Sequence, residues 1–318
     1  MASEFDIIRN YFTPPSTTAT LGVGDDCALV RVAPGMELAV STDMLLAGRH
    51  FFPDADPYKL GHKVLAVNLS DLAAMGAQPR WATLALALPE ADEAWLSAFS
   101  AGFFALAGEH GVSLIGGDTT RGPLTACVQI LGEVPAGAAL RRAGAAPGDE
   151  IWVSGRLGDA ALALAHLKQQ IRLTPQDAAA CLPRLHMPAP RVALGTALRG
   201  IASSAIDVSD GLAADLGHIV RASGLAAEID FAALPASEVL KRYLTDPVAE
   251  KALLSGGDDY ELCFTAPASC AHKIDRLATQ LQLPLTRIGR TRAGQGLVVL
   301  DSEHRTMTLE LQGFDHFA

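Results

Sequence analysis

The sequence predicts two domains of α+β or α/β class, a mixed sheet with helices over residues 1–137 and an α/β sandwich-like domain over 138–318. Three observations lead there. Strand-like runs come in pairs interleaved with amphipathic helices, which argues against a single doubly wound sheet. A Gly-, Ala- and Pro-rich stretch, PAGAALRRAGAAPGDE, interrupts the pattern near the middle of the chain. The 318 residues, 49% of them hydrophobic, supply material for two cores and exclude a disordered chain.

Taken in order, the spacing of Phe5, Ile8 and Phe12 predicts a helix over Ser3–Phe12, stopped by Pro14 and Pro15. Strands are expected at Cys27–Val32 and Glu37–Thr42 around a Pro34-Gly35 turn. From Pro57 to Met75 the pattern is helical, with Leu60, Val64 and Val67 on one stripe and Gly76 and Pro79 beyond its end. A buried strand at Trp81–Leu88, a helix at Asp92–His110 closed by Gly111, and strands at Val112–Ile115 and Leu124–Val134 complete the first half. The second half restarts with a strand at Glu150–Ser154 and a helix from Leu157 to about Leu167, then a polar link. Next come a helix near Arg191–Leu198, a strand at Ser203–Val208 and a helix at Gly211–Ala222. A strand near Ala227–Phe231, a helix before Ser255, a strand at Tyr260–Thr265, a helix at Ser269–Gln280 and C-terminal strands close the chain. NLSDLAAMG and DVSDGLAADLG, and likewise GGDTT and GGDDY, echo one another faintly across the halves.

Composition narrows the function. Acidic residues number 35 against 25 basic ones, a formal charge of −10, and no block of Lys or Arg offers the electrostatic footprint of a nucleic-acid surface. The N-terminal MASEFDIIRNYF carries acids, and the most apolar stretches, such as WATLALALPE, are too short for a bilayer span. A soluble cytoplasmic protein without a membrane partner is expected. Cys27, Cys127, Cys181, Cys263 and Cys270 lack CxxC spacing and read as reduced core thiols rather than disulfides or zinc ligands. Beside Asp25 and Asp26 a thiolate at Cys27 is disfavoured.

The acids are distributed unusually. Asp25, Asp26, Asp43, Asp71, Asp118, Asp207, Asp210, Asp258, Asp259 and Glu261, ten of the 35, fall in six short motifs beside Gly, Ser or Thr at element ends. Asp43 is expected to end a strand, where Ser41 and Thr42 add oxygen donors. Asn68 and Asp71 share one helix face. Asp207 and Asp210 bracket a strand-to-helix turn in which Ser209 is a candidate cap at a helix N-terminus suited to phosphate. Any one motif is equally well read as an ordinary turn or cap, because Ser, Asp and Gly favour such positions. Six together point to Mg²⁺, which takes oxygen ligands and completes its shell with water and substrate phosphates. The chain has no GxxxxGKS/T, no VAIK, HRD and DFG set, and its GVGDD does not complete GxGxxG. What remains is phosphoryl transfer with metals, held by carboxylates, carrying the charge stabilisation.

The motifs GDDCA, STDML, RHF, NLSDLAAMGAQP, GGDTTRG, DVSDGL and GDDYEL, in this order, with a C-terminal GFDHF, resemble those of the thiamine-monophosphate kinases. That family is part of the ATP-binding superfamily that includes aminoimidazole ribonucleotide synthetase and selenophosphate synthetase. The resemblance covers nearly the whole chain, and NLSDLAAMGAQP together with GDDYELCF carries its specificity. It implies transfer of the ATP γ-phosphoryl onto thiamine monophosphate, the last step of thiamine diphosphate biosynthesis. It also implies that Asp26, Asp43, Asp71, Asp118, Asp207 and Asp210 hold several Mg²⁺ ions with help from Ser41 and Thr42, with Asp43, Asp71 and Asp210 nearest the chemistry. Gly117, Asp118, Arg142 and Ser209 would contact ATP, and His50, Glu261 and Phe314 the thiamine phosphate. Taken alone, His50 reads as a surface histidine and Phe314 as core. Lys63 and Arg121 are further cations for phosphate. Family members form homodimers through the N-terminal domain, whose strands join into a barrel-like sheet, so the resemblance assigns metal binding, ATP binding and dimerisation to the first domain, and ATP and substrate binding to the second.

Overall fold

Met1–Leu72 with Ala77–Gly137 form one unit, and Ala73–Gly76 with Ala138–Ala318 the other. The structure, a computed structural model, describes residues 3–14 and 18–307. In the first unit the elements run α1 (Glu4–Tyr11), β1 (Met36–Leu46), α2 (Pro57–Ala74), β2 (Gln78–Leu88), α3 (Glu93–His110), β3 (Ser113–Arg121) and β4 (Thr125–Pro135). The strands form a sheet in the order β1-β4-β2-β3, antiparallel except for β2 and β3, which the α3 crossover joins in parallel. Asp92 caps α3 through the amides of Ala94 and Trp95, and Gly111 ends it in the left-handed conformation.

Helix α2 is buried far beyond the expected stripe: Val64, Leu65, Ala66 and Leu69 have no exposed surface. It lies against α3 backbone to backbone. A Cβ on Gly61 would stand 2.0 Å from the Phe99 carbonyl oxygen, and one on Gly102 would stand 1.9 Å from that of Tyr58. Only hydrogen fits at these two crossings.

Two strands differ from expectation. Cys27–Val32 is not a strand: Leu21 and Leu29 pair in an isolated antiparallel bridge that closes GVGDDCA into an exposed loop, and the Ala33 amide donates to the Glu133 carboxylate (2.7 Å) instead of to a neighbouring strand. Strand β1 continues through Asp43 to Leu46, because all eleven of its residues find partners on β4. Cys27 is accordingly exposed, not a core thiol.

The second unit comprises β5 (Glu150–Ser154), α4 (Asp159–Leu167), α5 (Pro175–His186), α6 (Val192–Leu198), β6 (Ser204–Asp207), α7 (Leu212–Ser223), β7 (Ala226–Asp230), α8 (Glu238–Tyr243), α9 (Pro247–Ser255), β8 (Leu262–Ala266), α10 (Ala271–Leu281), β9 (Leu285–Arg292) and β10 (Gly296–Leu300). Its mixed sheet has the order β10-β7-β9-β5-β8-β6, with only β10 and β7 parallel. Every residue of β5 and β8 is buried, so the sheet centre is covered on both faces, and the expected α/β layering holds. Ile151, Val153, Ile206 and Cys263 pack with Leu162, Leu216 and Leu253 from α4, α7 and α9. Helix α5 occupies the expected polar link, capped by Thr174 and opened by Pro175. Among the described residues no helix is long and apolar enough to cross a membrane.

Candidate active site

In the first unit β1 fixes which oxygens face which way. Side chains alternate along a strand, so Ser41, Asp43 and Leu45 share the half-buried to buried face of β1, while Thr42 and Met44 share the exposed one. On the covered side Ser41 Oγ donates to Asp71 Oδ2 (2.5 Å), and the Asp43 amide donates to Asn68 Oδ1 (3.1 Å). Asn68, wholly buried, anchors itself by donating Nδ2 to the Val64 carbonyl (2.9 Å). The three-residue spacing of Asn68 and Asp71 on α2 thus presents an amide and a carboxylate to the same strand. Asp43 lies in mid-strand opposite Val128, not at the strand end that the sequence suggested.

The GGDTT motif lies inside β3. The register against β2 slips between Ala82 and Thr83, a bulge that brings Gly117 opposite Leu84 and Asp118 opposite Ala85. Gly117 has φ +153°, and a Cβ there would meet the Leu84 carbonyl oxygen at 1.8 Å, so the position admits glycine alone. Asp118 is exposed, and the cross-strand row Met44, Cys127, Ala85, Asp118 puts it on the sheet face of Thr42, opposite to that of Ser41 and Asp43. Asp26 is exposed in the 21–29 loop, where its amide donates to Asp25 Oδ1 (2.9 Å). His50 follows β1 in a turn and accepts the Leu46 amide on Nδ1 (3.0 Å), which leaves Nε2 as the protonated nitrogen of the neutral ring.

In the second unit two acidic motifs lie side by side. Asp207 ends β6, and the chain turns through Ser209 and Asp210 to Gly211, which starts α7 with φ +110°. Ser209 does not cap α7, because Gly211 stands at the cap position and no side chain bonds there. The 256–261 stretch is zipped to this turn: Asp258 N donates to Ser209 O (2.9 Å), Tyr260 N to Val208 O (2.8 Å) and Val208 N to Glu261 O (2.8 Å). Asp258 and Tyr260 take left-handed φ values of 69° and 49°, a conformation that non-glycine residues adopt at a cost. Between them Asp259 is turned inward, and both its oxygens accept the Gly158 amide at the start of α4 (2.9 Å). Burial holds its carboxyl well above the usual range. Asp215, one turn into α7, is buried, and its Oδ2 accepts the amides of Ser209 (3.0 Å) and Asp210 (3.1 Å). Burial pushes this carboxyl up to about 7. Arg142 is exposed, and its charge pulls Asp215 the other way.

Glu261 is only 3% exposed. Its Oε2 accepts Ser154 Oγ and Arg191 Nε (both 2.6 Å), and its Oε1 accepts the second guanidinium nitrogen of Arg191 in a bidentate pair. Ser154 Oγ in turn accepts the Leu262 amide (2.9 Å). A Cβ on Gly155 would stand 2.0 Å from Glu261 Oε1, so glycine makes room for the carboxylate. Phe314 lies outside the described residues.

The structure therefore groups Ser41, Asp43 and Asp71 in one cluster, Thr42 and Asp118 on the other face of the same sheet, and Asp207, Ser209 and Asp210 on one turn. Among the described residues no three His, Cys, Asp or Glu side chains converge as a preformed metal cage. The donors are nevertheless carboxylate and hydroxyl oxygens, the set that Mg²⁺ takes when substrate phosphates complete its shell. Sequence reasoning missed Asp215, Arg191 and Ser154. Asp215 stands within the quoted DVSDGLAADLG but reads there as a plain helix residue, and only its backward reach reveals a role.

The fold and these motifs define a class before they define a family. Residues 24–134 match the AIR synthase related protein N-terminal domain, and residues 146–302 match its C-terminal domain. The thiamine-monophosphate kinase of Salmonella typhimurium is 49% identical over 319 residues, 99% of this chain and 98% of that protein. The crystal structure of thiamine-monophosphate kinase from Stenotrophomonas maltophilia superposes with a TM-score of 0.85 at 51% identity, covering 89% of this chain and 91% of that one. AaThiL complexed with AMPPCP and TMP superposes with a TM-score of 0.79 at 29% identity, over 99% and 97% of the two chains. The chain belongs to the thiamine-monophosphate kinase family.

Proposed function

We propose that this protein transfers the γ-phosphoryl of Mg·ATP directly, in line, to thiamine monophosphate and releases thiamine diphosphate and ADP. The observation that carries this reading is likeness to thiamine-monophosphate kinases along almost the whole chain, joined to a related structure that holds AMPPCP, an ATP analogue, together with TMP.

Asp26, Ser41, Thr42, Asp43, Asp71, Asp118, Asp207 and Asp210 hold the Mg²⁺ ions, whose contribution when bound is neutralisation and orientation of phosphate oxygens. Ser41 pins one oxygen of Asp71, and Asn68 pins the Asp43 backbone, so these carboxylates are set before substrate arrives. Thr42 faces away from Ser41 and Asp43, so it acts apart from that cluster. Gly117 lets backbone approach the nucleotide, and Asp118, Ser209 and Arg142 contact it, the last as a cation against phosphate charge. His50, Glu261 and Phe314 serve the thiamine phosphate, with Glu261 held rigid by Arg191. No general base is needed, because the acceptor is a phosphate oxygen already anionic near neutral pH.

The protein acts in the cytoplasm as a homodimer built on the first unit. Support for the dimer comes from β1, an edge strand whose Leu38, Val40, Met44 and Leu46 are exposed on one face. The decisive experiment is product identity by chromatography after mixing protein, ATP, Mg²⁺ and thiamine monophosphate, with free thiamine as parallel acceptor. Thiamine diphosphate from the monophosphate alone is the expected result. No product from either acceptor would reject the reading.

A further inference from the structure

The turn that carries Ser209 and Asp210 has no cap of its own. Gly211 offers no side chain, and its Cβ position is closed, since a carbon there would lie 2.6 Å from the Ser255 carbonyl carbon. One flank is zipped to Asp258 and Tyr260, whose left-handed backbones let the two segments run together. On the other flank two successive amides share one acceptor. The amides of Ser209 and Asp210 converge on Asp215 Oδ2, from a side chain that is 3% exposed.

We propose that Asp215 is a positioning residue for nucleotide and metal binding, the pivot that sets Ser209 and Asp210 relative to one another. The inference rests on the kinase reading above. Because both amides share one oxygen, displacing that oxygen moves both residues together. Buried as it is, the carboxylate acts through the turn and not on the substrate.

The test compares Asp215→Ala and Asp215→Asn with Asp177→Ala, a second buried acid whose partners Thr174, Arg242 and Tyr243 lie on α8 or at the ends of α5 and α8. Calorimetric titration with Mg·AMPPCP is expected to show affinity falling by about tenfold or more in Asp215→Ala, the loss of two backbone hydrogen bonds to one buried acceptor. kcat should fall with it while the KM for thiamine monophosphate holds. Asp215→Asn, whose Oδ1 still accepts both amides, should stay within about threefold of the parent. Asp177→Ala should lower the melting temperature without moving nucleotide affinity. If Asp215→Ala does not fold, Asp215→Glu displaces the pivot by one methylene and should weaken Mg·AMPPCP binding in the same direction. Parent-like affinity in Asp215→Ala, or in Asp215→Glu should that replace it, would overturn the inference, as would an equal loss in Asp177→Ala at matched melting temperature. A parent protein that neither binds Mg·AMPPCP nor forms thiamine diphosphate would instead overturn the kinase reading beneath it.

Discussion

The two units keep like charges in place by opposite means. In the first unit Asp43 and Asp71 sit on a regular strand and a helix, and orientation comes from the pleat, the helix spacing and side-chain hydrogen bonds that Ser41 donates and Asn68 accepts. In the second, Asp207 and Asp210 flank an irregular turn held by inward-facing acids, Asp215 on one flank and Asp259 within the neighbouring segment. Regular elements position a carboxylate with little strain. An irregular turn needs left-handed residues and inward-facing acids, and it concentrates the cost where the backbone bends.

The largest effect that would test this contrast is in turnover. Asp210→Asn should retain the fold yet lose about a hundredfold or more in kcat, since charge stabilisation by bound metal is worth several kcal/mol. Ordinary kinetics in that variant would remove the turn from the chemistry. Next, Gly117→Ala should destabilise the protein by about 3 kcal/mol in urea melts, because φ is positive and the methyl meets a carbonyl. Unchanged stability would mean the β3 bulge is more pliable than its contacts imply. A smaller loss, about 1–2 kcal/mol, is expected for Asn68→Ala, which leaves the Asp43 amide without its acceptor. Kinetics should then report a misplaced Asp43, with kcat reduced more than stability alone explains.

The smallest effect is in pH dependence. Burial raises the folded-state pKa of Asp259, so its contribution to stability is fully present below the usual carboxylate range, near pH 4, and is lost as pH rises through the raised value. Glu133 runs the other way: the Ala33 amide first, and Arg80 after it, lower its pKa, and its contribution disappears as pH falls below about 4. Urea melts across pH should therefore show Asp259→Asn flattening the alkaline-side decline while Glu133→Gln flattens the acid-side one. Identical profiles for the two variants would erase the distinction between an acid without a cationic partner and an ion-paired one.

Much of this was legible in the sequence. Periodicity located α2 and α3, and the acidic motifs named the turn at 207–210, because Gly, Ser and Asp advertise local backbone chemistry. The missed features depend on partners distant along the chain. Cys27–Val32 looks like a strand by residue type but pairs only through the Leu21–Leu29 bridge, and β1 outruns its expected end because β4 matches it along its full length. Helix α5 hides in a polar stretch whose buried side is Ala178, Cys181 and Leu185. Arg191 lies 70 residues before Glu261, and nothing local to either announces their pairing.

The crossing of α2 and α3 has a mechanical meaning. With Gly61 against Phe99 and Gly102 against Tyr58, sliding either helix by one residue would drive a side chain into main chain at both crossings. The pair behaves as a single beam with two pins. Asn68 and Asp71 ride on that beam, so any movement of this unit during a reaction cycle carries them as rigid cargo.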